Sequence, residues 1–246
     1  LAWAPAGDRI KTRWAAQVDP ASPRPEYPRP QLQRAEWQSL NGRWDYAILP
    51  KADPAPAAFA GQILVPFPVE SSLSGVMKPL SPDQYLWYRR PFEVAAKPGY
   101  RVLLSFGAVD WEAAVWVNGV PVGEHRGGYD PFTFDITDAL KPGGAQDLVV
   151  RVADATDRSP QPRGKQLLKP HGIWYTAVSG IWQTPWLEQV PVRHVRGLRI
   201  VPDVAASAFR ITVQGEGDAS VRVRDGGQTV AEARGPAGTE LVLKLA

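Results

Sequence analysis

Cysteine is absent from the 246 residues, which excludes disulfides, thiolate zinc sites and a cysteine nucleophile. The sequence contains no run of about 18 apolar residues, so it predicts no membrane-spanning helix. Its three histidines, His125, His171 and His194, are 46 and 23 residues apart, a spacing that matches no histidine metal motif. Basic residues do not cluster beyond the pair Arg89-Arg90, so nucleic acid is not an expected partner.

Tryptophan, by contrast, is in excess. The chain has 10 tryptophans, about three times average usage, together with 25 prolines and 22 glycines. Most of these indole rings are expected in the core, where they contribute apolar area. Their flat faces also stack on the apolar C–H faces of sugar rings, so the excess is a mild indication of carbohydrate binding.

Short strands separated by turns dominate the pattern. Strands are predicted at 43–48, 86–94, 101–106, 113–117, 120–122, 132–136 and 147–152. Asn118-Gly119 lies between two of these runs and predicts a type I′ hairpin, because both central residues of that turn need positive φ. Only residues 137–140 are predicted to form a helical turn. Many short strands at this spacing are typical of a β-sandwich or jelly roll.

The composition divides the chain into three parts. Residues 1–30 are predicted to form an extended arm, because five prolines between positions 20 and 30 exclude helix and central strand. Residues 31–191 are predicted to form a jelly roll. Residues 192–246 contain no tryptophan and predict five strands, at 198–201, 209–213, 221–224, 229–233 and 241–245. An immunoglobulin-like sandwich needs about seven strands, so this domain is expected to be incomplete.

Five stretches carry a family resemblance when taken in order. They are residues 40–44 (Leu-Asn-Gly-Arg-Trp), 65–71 (Val-Pro-Phe-Pro-Val-Glu-Ser), 87–90 (Trp-Tyr-Arg-Arg), 117–137 (with Gly-Gly-Tyr-Asp-Pro-Phe at its centre) and 179–183 (Ser-Gly-Ile-Trp-Gln). Together they resemble the N-terminal region of glycoside hydrolase family 2. Residues 162–166 and 172–176 are most similar to its bacterial β-galactosidase-type members.

The resemblance implies an all-β chain: a galactose-binding-like jelly roll followed by a partial immunoglobulin-like sandwich. In that family a (β/α)8 barrel then carries the chemistry. The family's acid/base glutamate follows an asparagine, and its nucleophile commonly follows a serine. Asn41 and Asn118 are both followed by glycine, and no Ser-Glu pair occurs. A retaining glycosidase needs two catalytic carboxylates about 5 Å apart. Because neither sequence pattern occurs, this chain is expected to contain no catalytic residue and to be inactive alone.

Asp157 is the first candidate for substrate contact, because it follows a predicted strand end. The resemblance implies that it reaches into the sugar pocket and can help hold a sodium ion, the one cofactor that the family suggests. A carboxylate suits this role because it offers two acceptor oxygens. Asp154, three residues earlier, is the alternative.

Further candidates lie in two loops. Ser71 occupies the position of a sugar-binding asparagine in some relatives. The loop at 160–175 is long and polar, and long loops in compact domains are often functional. Its candidates for contact with substrate or barrel are Lys165, Gln166, His171 and Trp174.

The leading hypothesis is therefore the non-catalytic front of a retaining β-galactosidase-like glycosidase, which lines one wall of the pocket for a β-linked sugar and supports the barrel. One alternative is a free-standing carbohydrate-binding module. Others are a β-glucuronidase- or β-mannosidase-type member of the family, or a structural or adhesion protein built from sandwiches. The sequence specifies no oligomeric state, and export would follow if a signal peptide preceded Leu1.

Overall fold

The computed structural model describes residues 3–7, 11–29 and 31–245. Residues 1, 2, 8–10 and 30 of the predicted arm, and residue 246 of the predicted second domain, lie outside the described residues. The chain forms two compact units: residues 1–28 with 36–189, and residues 29–35 with 190–246. The predicted boundaries at residues 30 and 191 stay predictions. In the described ranges, no helix is long and apolar enough to cross a membrane.

The predicted all-β class with sandwich sheets is confirmed, because strands form nearly all the regular structure. The strands up to residue 191 are β1 Trp37–Ser39, β2 Gly42–Pro50, β3 Gly61–Val65, β4 Gln84–Glu93, β5 Tyr100–Phe106, β6 Val109–Asp110, β7 Glu112–Val117, β8 Val120–Arg126, β9 Phe132–Asp135, β10 Ala145–Ala153, β11 Gln166–Leu167, β12 Tyr175–Thr176, β13 Gly180–Ile181 and β14 Pro185–Pro191.

The described residues include four 3-10 helices: Arg13–Gln17 precedes β1, and Ser72–Ser74, Thr137–Ala139 and Thr156–Arg158 lie between later strands. The expectation that only residues 137–140 form a helical turn was therefore wrong. A 3-10 turn needs only one or two local hydrogen bonds and no apolar period, so the sequence pattern does not reveal it.

The first unit is a sandwich of two antiparallel sheets. One has the order β1-β14-β5-β9 and the other β3-β2-β4-β10-β7-β8. Strand β10 shows the alternation that builds the core, since Gln146, Leu148, Val150 and Val152 are buried and the residues between them are less so. Buried side chains from both sheets, among them Trp44, form one continuous cluster.

The predicted hairpin at Asn118-Gly119 has the φ angles that a type I′ turn requires. Asn118 has φ 53° and Gly119 has φ 81°. The Asn118 side chain also donates to the Ala139 carbonyl at 2.8 Å and to Gln146 Oε1 at 2.7 Å, and it accepts from the Asp147 amide at 3.0 Å. The hairpin is thus tied to the start of β10 by side-chain hydrogen bonds.

We expect Asn118→Val to destabilise the chain by about 4–5 kcal/mol. A β-branched residue at positive φ costs about 1–2 kcal/mol, and each of the three lost hydrogen bonds costs about 1 kcal/mol. Urea unfolding measures the loss. Asn118→Gly removes the same hydrogen bonds without the backbone strain and should cost less. Equal losses in the two variants would contradict the strained turn.

In the described part of the second unit, five further strands are present: β15 Gly197–Asp203, β16 Ala208–Gln214, β17 Asp218–Asp225, β18 Gln228–Pro236 and β19 Glu240–Lys244. They form a sheet of order β15-β16-β19 and a separate β17-β18 pair. Its buried core consists of Ile211, Leu241 and Leu243, with partly buried residues from β17 and β18 packed against them.

Candidate functional site

Asp157 lies in the 3-10 helix Thr156–Arg158, which follows the end of β10. Its side chain is half-buried, and its Oδ1 atom is enclosed without a hydrogen-bond partner among the described residues. A carboxylate oxygen held in this way costs free energy unless a donor reaches it. Asp157 Oδ1 is therefore an acceptor whose hydrogen-bonding capacity the described residues leave unused.

The loop that follows brings four of the predicted residues together. Lys165, His171 and Trp174 are exposed, and the loop is closed where the Tyr175 amide donates to the Lys165 carbonyl at 2.8 Å. The Trp174 amide donates to the His171 carbonyl at 3.0 Å. The helix that carries Asp157 packs against β11, which begins at Gln166.

Gln166 is the anchored member of this loop. Its Oε1 atom accepts the Val178 amide at 2.6 Å, and its Nε2 atom donates to the Tyr129 hydroxyl at 3.1 Å. Both ends of the side-chain amide thus have partners within the domain. The geometry gives Gln166 a role in holding the loop, and contact with substrate remains a prediction.

Ser71 lies at a cavity of about 370 Å³. Its hydroxyl caps the 3-10 helix Ser72–Ser74 by accepting the Leu73 amide at 3.2 Å. The cavity is lined by residues 68 and 70–73, by residues 176–178 after the long loop, and by Lys11, Thr12 and Ala15. Ser71 and the end of the loop therefore face one space.

Beneath the loop, three acidic side chains from distant parts of the sequence are buried. Glu70, Asp110 and Asp154 are 7%, 3% and 1% exposed. Ser179 links two of them, because its amide donates to Glu70 at 2.9 Å and its hydroxyl donates to Asp154 at 2.7 Å. We call these three carboxyl groups the acid cluster.

Asp154 is satisfied entirely within the chain. Besides Ser179, it accepts hydrogen bonds from the Thr156 amide at 2.7 Å, the Thr156 hydroxyl at 3.3 Å and Gln161 Nε2 at 2.6 Å. Four donors occupy its two oxygens, so this carboxylate is not available to a sugar. Its position instead fixes the start of the loop against the sandwich.

The other two members of the acid cluster hold protons tightly. The pKa of Glu70 is raised to about 7, because the effect of burial exceeds the opposing effect of the hydrogen bonds from Ser179, which lower the pKa. Burial, followed by the nearby charges of Asp154 and Glu70, raises the pKa of Asp110 to about 8. Gly128 packs so closely on Asp110 that an added Cβ would lie 2.6 Å from its carboxyl carbon. Water is thus kept from this carboxyl group.

The described residues supply only part of the sodium site that the resemblance implies. Asp157 Oδ1 is an acceptor without a partner, as a cation ligand should be. Within the described ranges, however, no group of three or more His, Cys, Asp or Glu side chains is arranged to hold a metal ion. Asp157 would supply one oxygen ligand, and the rest would have to come from other kinds of group.

Sequence reasoning missed the acid cluster, apart from naming Asp154 as an alternative. A signal was present, because Val69-Glu70, Val109-Asp110 and Ala153-Asp154 each place a carboxyl directly after a buried apolar residue. Acidic residues are rarely buried without partners, so a carboxyl group directly after a buried apolar residue indicates a polar network.

The fold and the polar loop define a jelly-roll domain of the type used by lectins and related sugar-binding proteins. Residues 79–182 match the family model described as glycosyl hydrolase 2 galactose-binding domain-like. The resemblance inferred from the sequence is confirmed over this part of the chain, which is similar to the galactose-binding-like domain of glycoside hydrolase family 2.

Curated relatives of this chain include two kinds of glycosidase. A β-galactosidase of Thermoanaerobacter pseudethanolicus is 33% identical over 136 residues, which are 53% of this chain and 18% of that protein. A β-glucuronidase of Paenibacillus borealis is 30% identical over 146 residues, 56% of this chain and 24% of the relative. The matches thus span less than a quarter of either relative.

A solved structure shares the fold over most of the chain. The β-glucuronidase from Ruminococcus gnavus, in complex with a C6-substituted uronic isofagomine, superimposes with a TM-score of 0.68 and 22% identity. The match covers 90% of this chain and 40% of that one. The likeness is one of fold.

Proposed function

We propose that this chain is the non-catalytic N-terminal part of a retaining β-glycosidase, most like a β-galactosidase, and that it lines one wall of the pocket for a β-linked sugar. In this proposal a (β/α)8 barrel supplies the two catalytic carboxylates, and this chain supports the barrel. The observation that carries the proposal is Asp157, whose buried Oδ1 lacks a hydrogen-bond partner among the described residues.

The surroundings of Asp157 support this role. The loop with Lys165, His171 and Trp174 is next to its helix, and the loop continues to residues 176–178, which share a cavity with Ser71. A sugar offers hydroxyl donors for the carboxylate and apolar C–H faces for the indole ring. Such a mixed polar and aromatic wall suits a carbohydrate pocket.

A β-glucuronidase-type activity is the second candidate. It is favoured by the Paenibacillus borealis relative and by the fold shared with the Ruminococcus gnavus enzyme. Hydrolysis of aryl β-galactosides, β-glucuronides and β-mannosides by the full-length gene product would discriminate among these activities. The 246-residue chain alone should hydrolyse none of them, and turnover by the purified chain would contradict the assignment as a non-catalytic part.

We expect Asp157→Asn to lower kcat/KM of the full-length enzyme by about 10- to 150-fold. That range corresponds to the loss of a charged hydrogen bond worth about 1.5–3 kcal/mol. Stability of the 246-residue chain should not fall, because the buried Oδ1 accepts no hydrogen bond from the described residues and the change therefore removes no stabilising contact of that atom.

The matched control is Asp53→Asn, which makes the same change at an exposed position in the turn after β2. Its kcat/KM should equal that of the parent enzyme. If Asp157→Asn leaves kcat and KM within about twofold, Asp157 is only a loop residue. Substrate contact would then have to come from the 165–174 loop or from the barrel.

A further inference from the structure

Acidic and basic residues are balanced over long segments of the chain, but not along the segment that contains the loop at 160–175. From Arg158 to Leu187 the sequence contains no aspartate or glutamate, although the chain has 25 acidic residues in all. The same segment contains four basic residues, Arg158, Arg163, Lys165 and Lys169. Among the exposed side chains of this segment the charge is therefore of one sign, whereas the carboxyl groups nearest to it, those of the acid cluster and of Asp157, are buried or half-buried.

These cations are not neutralised by the domain. Arg158, Lys165 and Lys169 are exposed, and none of them forms an ion pair within the described ranges. Several basic residues elsewhere in the same unit do have acidic partners, in the pairs Arg89–Asp147, Lys97–Glu36, Arg101–Asp135 and Arg126–Glu112. The loop therefore presents positive charge that remains available to a ligand.

Large apolar side chains occur beside these cations. Ile173, Trp174 and Tyr175 are 67%, 36% and 64% exposed, although residues of this size are usually covered. The Tyr175 amide binds the Lys165 carbonyl, so the aromatic residues and this lysine belong to one closed loop. We call residues 165–175 the basic aromatic loop.

The base of the basic aromatic loop is held in place. Gln166 bridges Val178 and Tyr129, and Gln161 donates to the buried Asp154. The exposed residues are therefore carried on an anchored segment. A preorganised segment loses less conformational entropy when it binds a ligand.

We propose that the basic aromatic loop binds the anionic group of a β-linked glycan, with Lys165 and Lys169 pairing with a carboxylate or sulfate and an aromatic face packing on the sugar ring. The proposal rests on the proposed function only for the class of ligand, a β-linked sugar. Charge complementarity selects an anionic sugar, because a neutral one would leave both ammonium groups without a partner. Aromatic faces select a sugar over a free inorganic anion.

The test compares two tetrasaccharides that differ only at C6, measured by calorimetry on the 246-residue chain. One is cellotetraose and the other is the β-1,4-linked glucuronan tetramer, and 6-sulfated cellotetraose forms a third arm. In about 50 mM salt we expect the carboxylated or the sulfated tetramer to bind about tenfold more tightly than cellotetraose. In about 500 mM salt the difference should shrink, because exposed charges are screened.

Two variants locate the interaction. Lys165→Gln with Lys169→Gln should abolish the preference for the charged tetramer, whereas Trp174→Ala should weaken the binding of charged and neutral tetramers alike. The matched control is Lys51→Gln with Lys141→Gln, which removes two exposed lysines elsewhere in the same unit and should leave the preference unchanged.

Equal affinity for charged and neutral tetramers, or no binding of either charged tetramer, would overturn the proposal. So would a preference that survives in the Lys165→Gln, Lys169→Gln variant. Polyglutamate that binds as tightly as the charged tetramers would make the loop a docking surface for acidic proteins instead. These outcomes can be distinguished from a failure of the proposed function, which is tested separately by hydrolysis with the full-length product and by Asp157→Asn.

Discussion

Chemical unfolding between about pH 5 and about pH 9 is expected to show a stability that falls as the pH rises, by roughly 3–6 kcal/mol. Most small proteins lose stability towards acid, because their carboxylates are better stabilised in the folded chain. This chain should also lose stability on the alkaline side of neutrality, because two members of the acid cluster are protonated when folded.

The direction follows from the folded pKa values of Glu70 and Asp110. These are raised from 4.5 to about 7 and from 3.8 to about 8, chiefly by burial. A group that binds its proton more tightly in the folded state stabilises that state fully below its unfolded pKa. The contribution disappears as the pH rises through the folded pKa, so the loss should be complete above about pH 8.

Isosteric variants identify the groups responsible. Glu70→Gln combined with Asp110→Asn should flatten the dependence between pH 5 and 9, because neither amide titrates and the amide oxygen introduced at position 70 can still accept the Ser179 N–H. Glu124→Gln is the control, since Glu124 is an exposed residue in β8. A parent chain whose stability is flat across this range would contradict the protonated cluster, as would a slope that persists in the double variant.

Gly180→Ala is expected to destabilise the chain by roughly 2–5 kcal/mol. Gly180 has φ +89°, and an added Cβ would lie 2.0 Å from the Tyr88 hydroxyl and 3.0 Å from Leu86 Cδ2. Tyr88 is fully buried and accepts the Ile181 amide at 3.2 Å, so it has no free space into which to move. Overpacking costs about 1–3 kcal/mol, and the left-handed backbone adds about 1–2 kcal/mol.

Two further variants separate these causes in thermal or urea unfolding. Gly119→Ala has a similar φ of +81° but no atom within 4 Å of the added Cβ, so it should show the backbone cost alone. Tyr88→Phe in the Gly180→Ala background removes the clashing hydroxyl and should recover part of the loss, beyond what additivity predicts. If Gly180→Ala and Gly119→Ala cost the same, the close packing of Gly180 on Tyr88 is refuted.

Much of the fold was predictable because its determinants are local. The alternation of β10 places Leu148, Val150 and Val152 on one face whatever the rest of the chain does, since side chains alternate along any strand. The type I′ turn depends on two adjacent residues that tolerate positive φ, Asn118 and Gly119. The polar loop after β10 was visible for the same reason, as a long segment without an apolar period.

The partners of those strands were not predictable from such patterns. Strand β1 is three residues long and pairs with β14, so Trp37 lies opposite Glu188, about 150 positions later. An alternating pattern states which face of a strand is buried, but it does not state which strand lies beside it. That choice depends on how all the strands fill one core.

The acid cluster shows the same difference between what local sequence patterns determine and what only tertiary packing determines. The sequence by itself determined that a long polar loop follows β10, and it pointed to Asp157 as a carboxylate near a strand end. Only the tertiary structure brought Glu70, Asp110 and Asp154 under one loop, with Ser179 between two of them. Burial and charge repulsion raise a pKa through the atoms that surround a group in space, and these atoms come from segments far apart in the chain.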